Sequence, residues 1–424
     1  MINIFNKFSF CSKNFSSLEL QFKKLKKKTK VEQIFNLINK YSEISEARYV
    51  GGCVRNILDN ANVDDIDLAV NLNPSQVCEI FKKNNIKFYE TGIEHGTVTV
   101  LIDDSKFEIT SLRKDVETYG RHAKVEYSAS WQEDASRRDF TINSIYADIN
   151  GNLFDPFNGK KDLENGDVKF IGDIEKRIKE DYLRILRYVR FFLNYSKKNH
   201  NSNVTKIIKQ NLNGFSKISS ERLLDEFKKL IRSKNFLKLV TDNFCLEIVQ
   251  LIFPQFKNLN IFKNLNNFAK ENLNNLDFIF LLSLIIIDGS DNADYFIYKF
   301  NISKKDQKRL NFLNRFFSVK INSNIFSSIN LNKILYFEGK QSLLDLLYFQ
   351  IFRSKKIDQK LIESINFFKN KELPILPLRA ITLMTKYNVP EGKGLGIKLK
   401  KIEAKWVDNN FTISEKEVQQ LINS

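Results

Sequence analysis

Strand-type alternation ends in this chain at the turn-rich stretch Asp155-Pro156-Phe157-Asn158-Gly159. Before it, from Tyr49 to about Asn150, short β-type runs (Lys87-Tyr89, Thr97-Ile102, Lys106-Leu112) alternate with helical stretches such as Pro74 to Lys83. After it the text is helix upon helix, the clearest running from Ile174 to Tyr195 with Ile174, Ile178, Tyr182, Ile185, Val189 and Phe192 at spacings of four and three. Such a division predicts an α/β head, a small mixed sheet with helices, followed by an all-α remainder. The 424 residues exceed one ordinary core, and length suggests roughly two to four domains. The expected divisions are a basic arm over 1–30, disordered or loosely helical, a head over 31–160, a helical neck over 161–255, a helical body over 256–370 and a tail over 371–424. Val31 to Tyr41 is expected as a helix with Val31, Ile34, Phe35 and Ile38 on its inner face, and Glu372-Leu373-Pro374-Ile375-Leu376-Pro377 as a linker.

The charge balance points to a polyanion. Lys and Arg number 67 against 50 Asp and Glu, a formal +17, which suits nucleic acid, although Lys and Asn richness throughout the chain offers a purely compositional account. Cys11, Cys53, Cys78 and Cys245 are far apart, without Cys-x-x-Cys spacing, so neither a zinc site nor a disulfide framework is indicated and a reducing cytoplasm is the natural setting. Residues 1–30 are acid-poor and Lys-rich like an organelle address, yet lack Arg and a cleavage pattern. No membrane is expected as a partner: the longest apolar run, Phe278 to Ile287, falls short of the ~20 residues that span a bilayer and reads as a buried helix.

Chemistry is concentrated near the start. In Ile66-Asp67-Leu68-Ala69-Val70 and the preceding Asp65, two carboxylates one residue apart share one edge of a strand. Upstream, Gly51-Gly52 ends a strand where Val54-Arg55-Asn56-Ile57-Leu58 begins a helix, a place for backbone N–H groups to meet an anion. Gly-Gly turns and Asp-x-Asp triplets also cap turns, but in this order they suggest phosphate held beside a two-ion site. Such a site needs a further ligand, and Glu108, on the same strand face as Thr110, is the candidate, with an exposed strand Glu as the alternative. Hard carboxylates and phosphates make magnesium the expected ion.

Arg137-Arg138-Asp139-Phe140-Thr141-Ile142-Asn143 supplies guanidinium forks suited to a triphosphate, or else a surface ion-pair cluster. In Glu180-Asp181-Tyr182-Leu183-Arg184, Asp181 and Arg184 stand three apart and are expected on one helix face, with Arg187 and Arg190 continuing the row. An accepting Asp and a donating Arg match the pairing edges of cytosine and adenine, and fail to match uracil and guanine. An i,i+3 ion pair is the plain alternative. His95 and His122 could line the site; there is no His-Asp dipeptide and no Gly-Lys-Ser/Thr phosphate loop.

Together and in order, these motifs resemble the class II tRNA nucleotidyltransferase and bacterial poly(A) polymerase family over about Tyr49 to Leu230. Gly51-Gly52-Cys53-Val54-Arg55 with Asp65-Ile66-Asp67 is similar to the first family motif, the Arg137–Asn143 heptad to the second, Asp155–Gly159 to the hinge between head and neck, Glu180-Asp181 with Arg184 to the base-selecting motif, and Ser220-Glu221-Arg222 to the start of the next neck helix. Asn56 stands where the family usually has Asp. The resemblance implies a head that catalyses and a helical remainder that holds the tRNA acceptor end, and within the family it is closest to bacterial CCA-adding enzymes. It implies Asp65 and Asp67 as catalytic and metal-binding, beside Glu108 as the catalytic candidate offered by its strand, and a nucleotide held by Gly52, Arg55, Arg138, Asp139, Asp181, Arg184, Arg187 and Arg190. CTP and ATP are the implied substrates and tRNA the implied partner; the oligomeric state is left open. Two other readings stand beside it: a poly(A) or A-only polymerase built on the same head, and a non-catalytic helical RNA-binding protein.

Overall fold

The computed structural model describes residues 17–63, 65–117, 124–318 and 326–423. The chain divides after Ser219 into two compact units.

The first unit opens with helices α1 (Ser17–Thr29) and α2 (Val31–Asn39), strand β1 (Ala47–Val50), helix α3 (Gly52–Leu58), strand β2 (Ile66–Val70) and helix α4 (Pro74–Lys83). Strands β3 (Lys87–Gly92), β4 (Thr97–Ile102), β5 (Ser105–Ser111), β6 (Arg113–Glu117) and β7 (Lys124–Tyr127) follow, then α5 (Trp131–Ser136), β8 (Tyr146–Ala147) and β9 (Leu153–Phe154). Helices α6 (Gly159–Asn165), α7 (Ile174–Glu180), α8 (Leu183–Tyr195) and α9 (Ser202–Gln210) complete it. Seven strands form one mixed sheet in the order β3-β4-β5-β2-β1-β8-β9, with β6 and β7 as a separate ribbon. All neighbours in the large sheet are antiparallel except β2 and β5. Gly120 and His122 lie outside the described residues.

Sequence patterning explains most of these elements. The alternation of β4 gives a strictly alternating burial pattern, and α2 buries Val31, Ile34, Phe35 and Ile38 as its 3.6-residue spacing requires. In α4, Asn73 and Gln76 form a reciprocal capping box with Pro74 at the first position. At the 155–159 turn, Asp155 accepts from the N–H groups of Gly159 and Lys160, each at 2.8 Å. Gly159 is required there, because a Cβ would lie 2.1 Å from the Thr141 carbonyl oxygen.

Of the two forms expected for the basic arm, residues 17–29 take the helical one as α1, and Phe22 is wholly buried, its ring 5.1 Å from that of Tyr49, so this part packs on the head. Gly151 (φ +92) makes room for it, since a Cβ there would meet the Phe22 ring at 2.7 Å. The expected Ile174–Tyr195 helix is two helices, because Asp181 is extended (φ −154, ψ 104). Its carboxylate accepts from the Leu183 N–H at 3.2 Å and its carbonyl from the Arg184 N–H at 3.0 Å, so the break caps the next helix. Tyr182, beside it, lies flat against Gly214, where a Cβ would sit 2.0 Å from the ring.

The second unit is helical among its described residues. Phe278–Ile286 is buried along its whole length except for half-buried Ile279, and is capped by Asp277, which accepts from the Phe280 N–H at 2.9 Å. Aromatic contacts knit its core: Phe256 lies 4.4 Å from Phe227 and 4.5 Å from Phe253 between ring centroids. Arg309 bridges Asp277 (2.7 Å) and Asp345 (2.8 Å). The long helix Ser328–Arg353 is kinked at Gly339 (φ 85, ψ 164), a conformation confined to glycine. Before the kink, Tyr336 donates to Glu403 at 2.6 Å and Lys333 pairs with Asp408 at 2.7 Å, holding the helix Lys393–Asp408. Beyond it, Asp345 and its apolar neighbours pack into the preceding helices. Residues 371–379, which include the expected linker, carry no helix or strand.

Candidate active site

The Gly-Gly turn comes first. Gly51 has φ +66 and occupies the N-cap of α3 without a side-chain cap, so the turn leaves its backbone open. Two guanidinium groups approach it: a Cβ on Gly51 would lie 3.7 Å from Arg138 Nη1, and one on Gly52 would lie 3.6 Å from Arg55 Nη2.

The acidic edge comes from the parallel pairing of β2 with β5. Asp67 and Glu108 are direct register partners, so both carboxylates emerge side by side from one face of the sheet. Burial raises the Asp67 carboxyl above its ordinary value, Glu108 and Asp65 add to this, and Arg138 and Arg55 act against it. Those influences gather Asp65, Asp67, Glu108, Arg55 and Arg138 around one spot. Glu108 is half-exposed and pairs with Lys106 at 2.6 Å. This donor set is entirely oxygen, three carboxylates brought to one spot, which fits a hard divalent ion.

A buried polar network holds the arginines in place. Asp134, on α5, takes Arg137 at 2.6 Å and Arg138 at 3.0 Å, and accepts from the Tyr146 hydroxyl at 2.6 Å. Burial pushes its carboxyl upward, but Arg138, Arg137 and the Tyr146 hydroxyl outweigh it and hold it well below the carboxylate range. Asp139 accepts from Arg187 at 2.6 Å and from Asn143 Nδ2 at 3.0 Å. Its burial is likewise outweighed, by Arg187 first and then Asn143, leaving the carboxyl at about 2. Asn143 in turn accepts from Arg55 Nη1, and Arg55 Nε donates to the Tyr195 hydroxyl at 2.9 Å. Arg55, Arg187 and Arg190 all lie over the ring of Phe191, at 5.0, 5.5 and 4.2 Å from its centroid.

The structure therefore brings together Gly52, Arg55, Asp65, Asp67, Glu108, Arg138, Asp139, Arg187 and Arg190. It does not place Asp181 and Arg184 on one helical face. Arg184 pairs with Glu180 at 2.7 Å and reaches the Arg137 carbonyl at 3.3 Å, while Asp181 stands at the break between α7 and α8. His95 closes a short 3₁₀ turn, and its carbonyl accepts from Arg113. Asp134, Tyr146 and Tyr195 were missed by sequence reasoning. For Asp134 a signal existed, since it precedes Arg137 and Arg138 by three and four residues, the spacing of one helix face.

Comparison with known proteins agrees with this geometry. Residues 47–169 match the family model of the poly A polymerase head domain. The chain is 42% identical over 213 residues to the human mitochondrial CCA tRNA nucleotidyltransferase 1, an alignment spanning 50% of this chain and 49% of that protein. The chain thus spans about half the length of the curated relatives it matches at that level. To the CCA-adding enzyme of Lactobacillus johnsonii it is 29% identical over 388 residues, covering 89% of this chain and 93% of the relative. Among solved structures, the CCA-adding enzyme of Bacillus stearothermophilus in complex with CTP superposes with a TM-score of 0.67 at 22% identity, over 93% of this chain and 97% of that one. The Thermotoga maritima CCA-adding enzyme complexed with tRNA gives 0.57 at 20% identity, over 93% and 95%. At these identities the likeness to solved structures is one of fold. With the head motifs assembled in the order the sequence carries them, residues 47–169 form a poly A polymerase head domain, and the chain as a whole shares the fold of the CCA-adding enzymes.

Proposed function

We propose that this protein is a CCA tRNA nucleotidyltransferase, which adds C, C and A to the 3′ end of tRNA from CTP and ATP without a nucleic-acid template. The observation that carries the reading is the Asp67–Glu108 register pair, with Asp65 beside it and two guanidinium groups at the adjoining Gly-Gly turn. In the reaction the RNA 3′-oxygen forms a bond to the nucleotide α-phosphorus, the bond to pyrophosphate breaks, and the hydroxyl proton passes to solvent. Asp65 and Asp67 would hold magnesium, with Glu108 released from Lys106 to complete the acidic edge. When bound, a pair of such ions activates the attacking hydroxyl and neutralises the leaving pyrophosphate.

The chain's own residues supply the rest. Arg138, kept rigid by Asp134 and Tyr146, and Arg55, kept rigid by Asn143 and Tyr195, face the triphosphate at the Gly51-Gly52 turn. Asp139 orients Arg187, and Arg190 lies against the same aromatic ring. Asp181 and Arg184 would select the base from neighbouring elements: Asp181 stands at the helix break, where its carboxylate caps α8, and Arg184 is oriented by Glu180. Two relatives named above are described as complexes with CTP and with tRNA, which supports the same substrates here.

We place the protein in the cytoplasm, with an organelle address in residues 1–30 as the alternative that the mitochondrial human relative supports. Because Phe22 is buried in the head, a processed form that keeps the head intact begins upstream of it. The direct test incubates the protein and magnesium with a tRNA transcript lacking its last three nucleotides, with CTP and ATP separately and together, and sequences the products. Arrest after C-C with CTP alone and completion to C-C-A with both is expected. A-only tails would instead support the polymerase reading, and absence of any product would support an idle RNA binder.

A further inference from the structure

The second unit contains a cavity of about 650 Å³ between the end of the helix Ser220–Ile231 and the turns before Phe278–Ile286. Arg232, Lys234 and Lys270 line it, all exposed, and among the described residues none of them has an ion-pair partner. Asn274 and Asn275 add two exposed side-chain amides. The acid of the lining, Asp277, is turned to internal use: Arg309 holds its carboxylate at 2.7 and 3.2 Å, and it caps the following helix. Leu273 and Leu281 close the floor. The cavity is therefore cationic, with its one carboxylate already neutralised, and its cationic and amide donors come from two separate segments of the chain, 232–234 and 270–275.

We infer that this cavity is a docking site for the phosphodiester backbone of RNA, built from Arg232, Lys234 and Lys270. The inference rests on the tRNA reading above and assigns that partner to a definite surface. Backbone docking of this kind is independent of sequence and acts through counterion release, so its signature is the salt dependence of binding.

The test is a triple variant, Arg232→Gln with Lys234→Gln and Lys270→Gln, compared with a control of equal charge loss at exposed positions elsewhere in the unit, Lys355→Gln with Lys356→Gln and Lys360→Gln. The affinity of each full-length protein for a tRNA transcript is measured across salt concentration, with circular dichroism as a check on folding. The cavity variant is expected to lower the slope of log affinity against log salt by about two to three, at roughly 0.7–0.9 for each phosphate no longer neutralised, and to raise KM for tRNA while leaving KM for CTP unchanged. The control is expected to keep the wild-type slope. Equal slopes in the two variants would overturn the inference, because net charge alone would then explain any loss. A raised KM for CTP with an unchanged tRNA slope would also overturn it, by making the cavity a nucleotide site. Binding is read without catalysis, so a wild-type protein that bound tRNA yet added no C-C-A would defeat the proposed activity and leave this surface to its own test.

Discussion

The two units solve the problem of a buried interior in different ways. In the first, buried Asp134 and Asp139 are each surrounded by arginines and hydroxyl or amide donors, and the network they form ends at the candidate active site. In the second, the interior around Phe227, Phe253 and Phe256 is aromatic packing, with the Arg309 cluster as a local ionic tie. Satisfied buried charges fix orientation at the cost of desolvation, whereas rings tolerate repacking. The difference teaches that rigidity has been placed around the candidate active site, where the proposed reaction would need a triphosphate aligned, and plain cohesion in the helical second unit.

The sharpest break of this comparison is at Asp67. Asp67→Asn should lower nucleotide addition on the order of 10⁴-fold while leaving the melting temperature unchanged or raised. The sign follows from its raised carboxyl: the folded state disfavours the charged form, so removing the charge relieves the fold. A clear fall in melting temperature would show Asp67 to be structural. Next come two truncations of similar size and different chemistry. Asp134→Ala strands Arg137 and Arg138 and should cost about 3–5 kcal/mol, and Phe256→Ala should cost about 3–5 kcal/mol through its cavity, both read by urea unfolding. Only the first should abolish addition in the protein that remains folded.

Asp181→Ala should weaken discrimination of CTP and ATP against UTP and GTP by about 1–3 kcal/mol, measured as kcat/KM ratios. Unchanged ratios would remove Asp181 from base selection. Gly339→Ala should destabilise the second unit by about 1–3 kcal/mol, since its backbone lies where only glycine is at ease, although a Cβ there would meet nothing within 4 Å. Acid should sharpen the contrast further. The lowered carboxyls of Asp134 and Asp139 stabilise the first unit above the unfolded carboxylate pKa, and this stability is lost as pH falls from about 4 toward 2. Near-ultraviolet circular dichroism of Trp131, whose ring lies 5.4 Å from that of Tyr146, would follow that loss.

What the sequence determined by itself were the features set by local period and local chemistry. The alternation of Thr97–Ile102, the inner face of α2, the capping box of α4 and the buried Phe278 helix were legible because neighbouring residues alone decide them. The acidic edge was legible only in part: Asp67 lies in β2, but the strand begins at Ile66 and Asp65 stands in the bend before it, so the two-residue repeat does not place that carboxylate. Only the tertiary structure decided which distant strand supplied the third carboxylate: the register of β2 against β5 makes Glu108 the neighbour of Asp67, and no local rule fixes a register between strands separated by α4, β3 and β4. It also decided the break at Asp181, where apolar spacing ran on unbroken while a carboxylate cap and the packing of Tyr182 on Gly214 ended the helix. The same long-range burial decided between the disordered and the loosely helical forms open to the N-terminal segment. Its composition is that of a solvated arm, and a single ring, Phe22, burying against Tyr49 and Gly151 makes it part of the core. Local pattern names the elements and their chemistry, and long-range burial and pairing choose which of them meet.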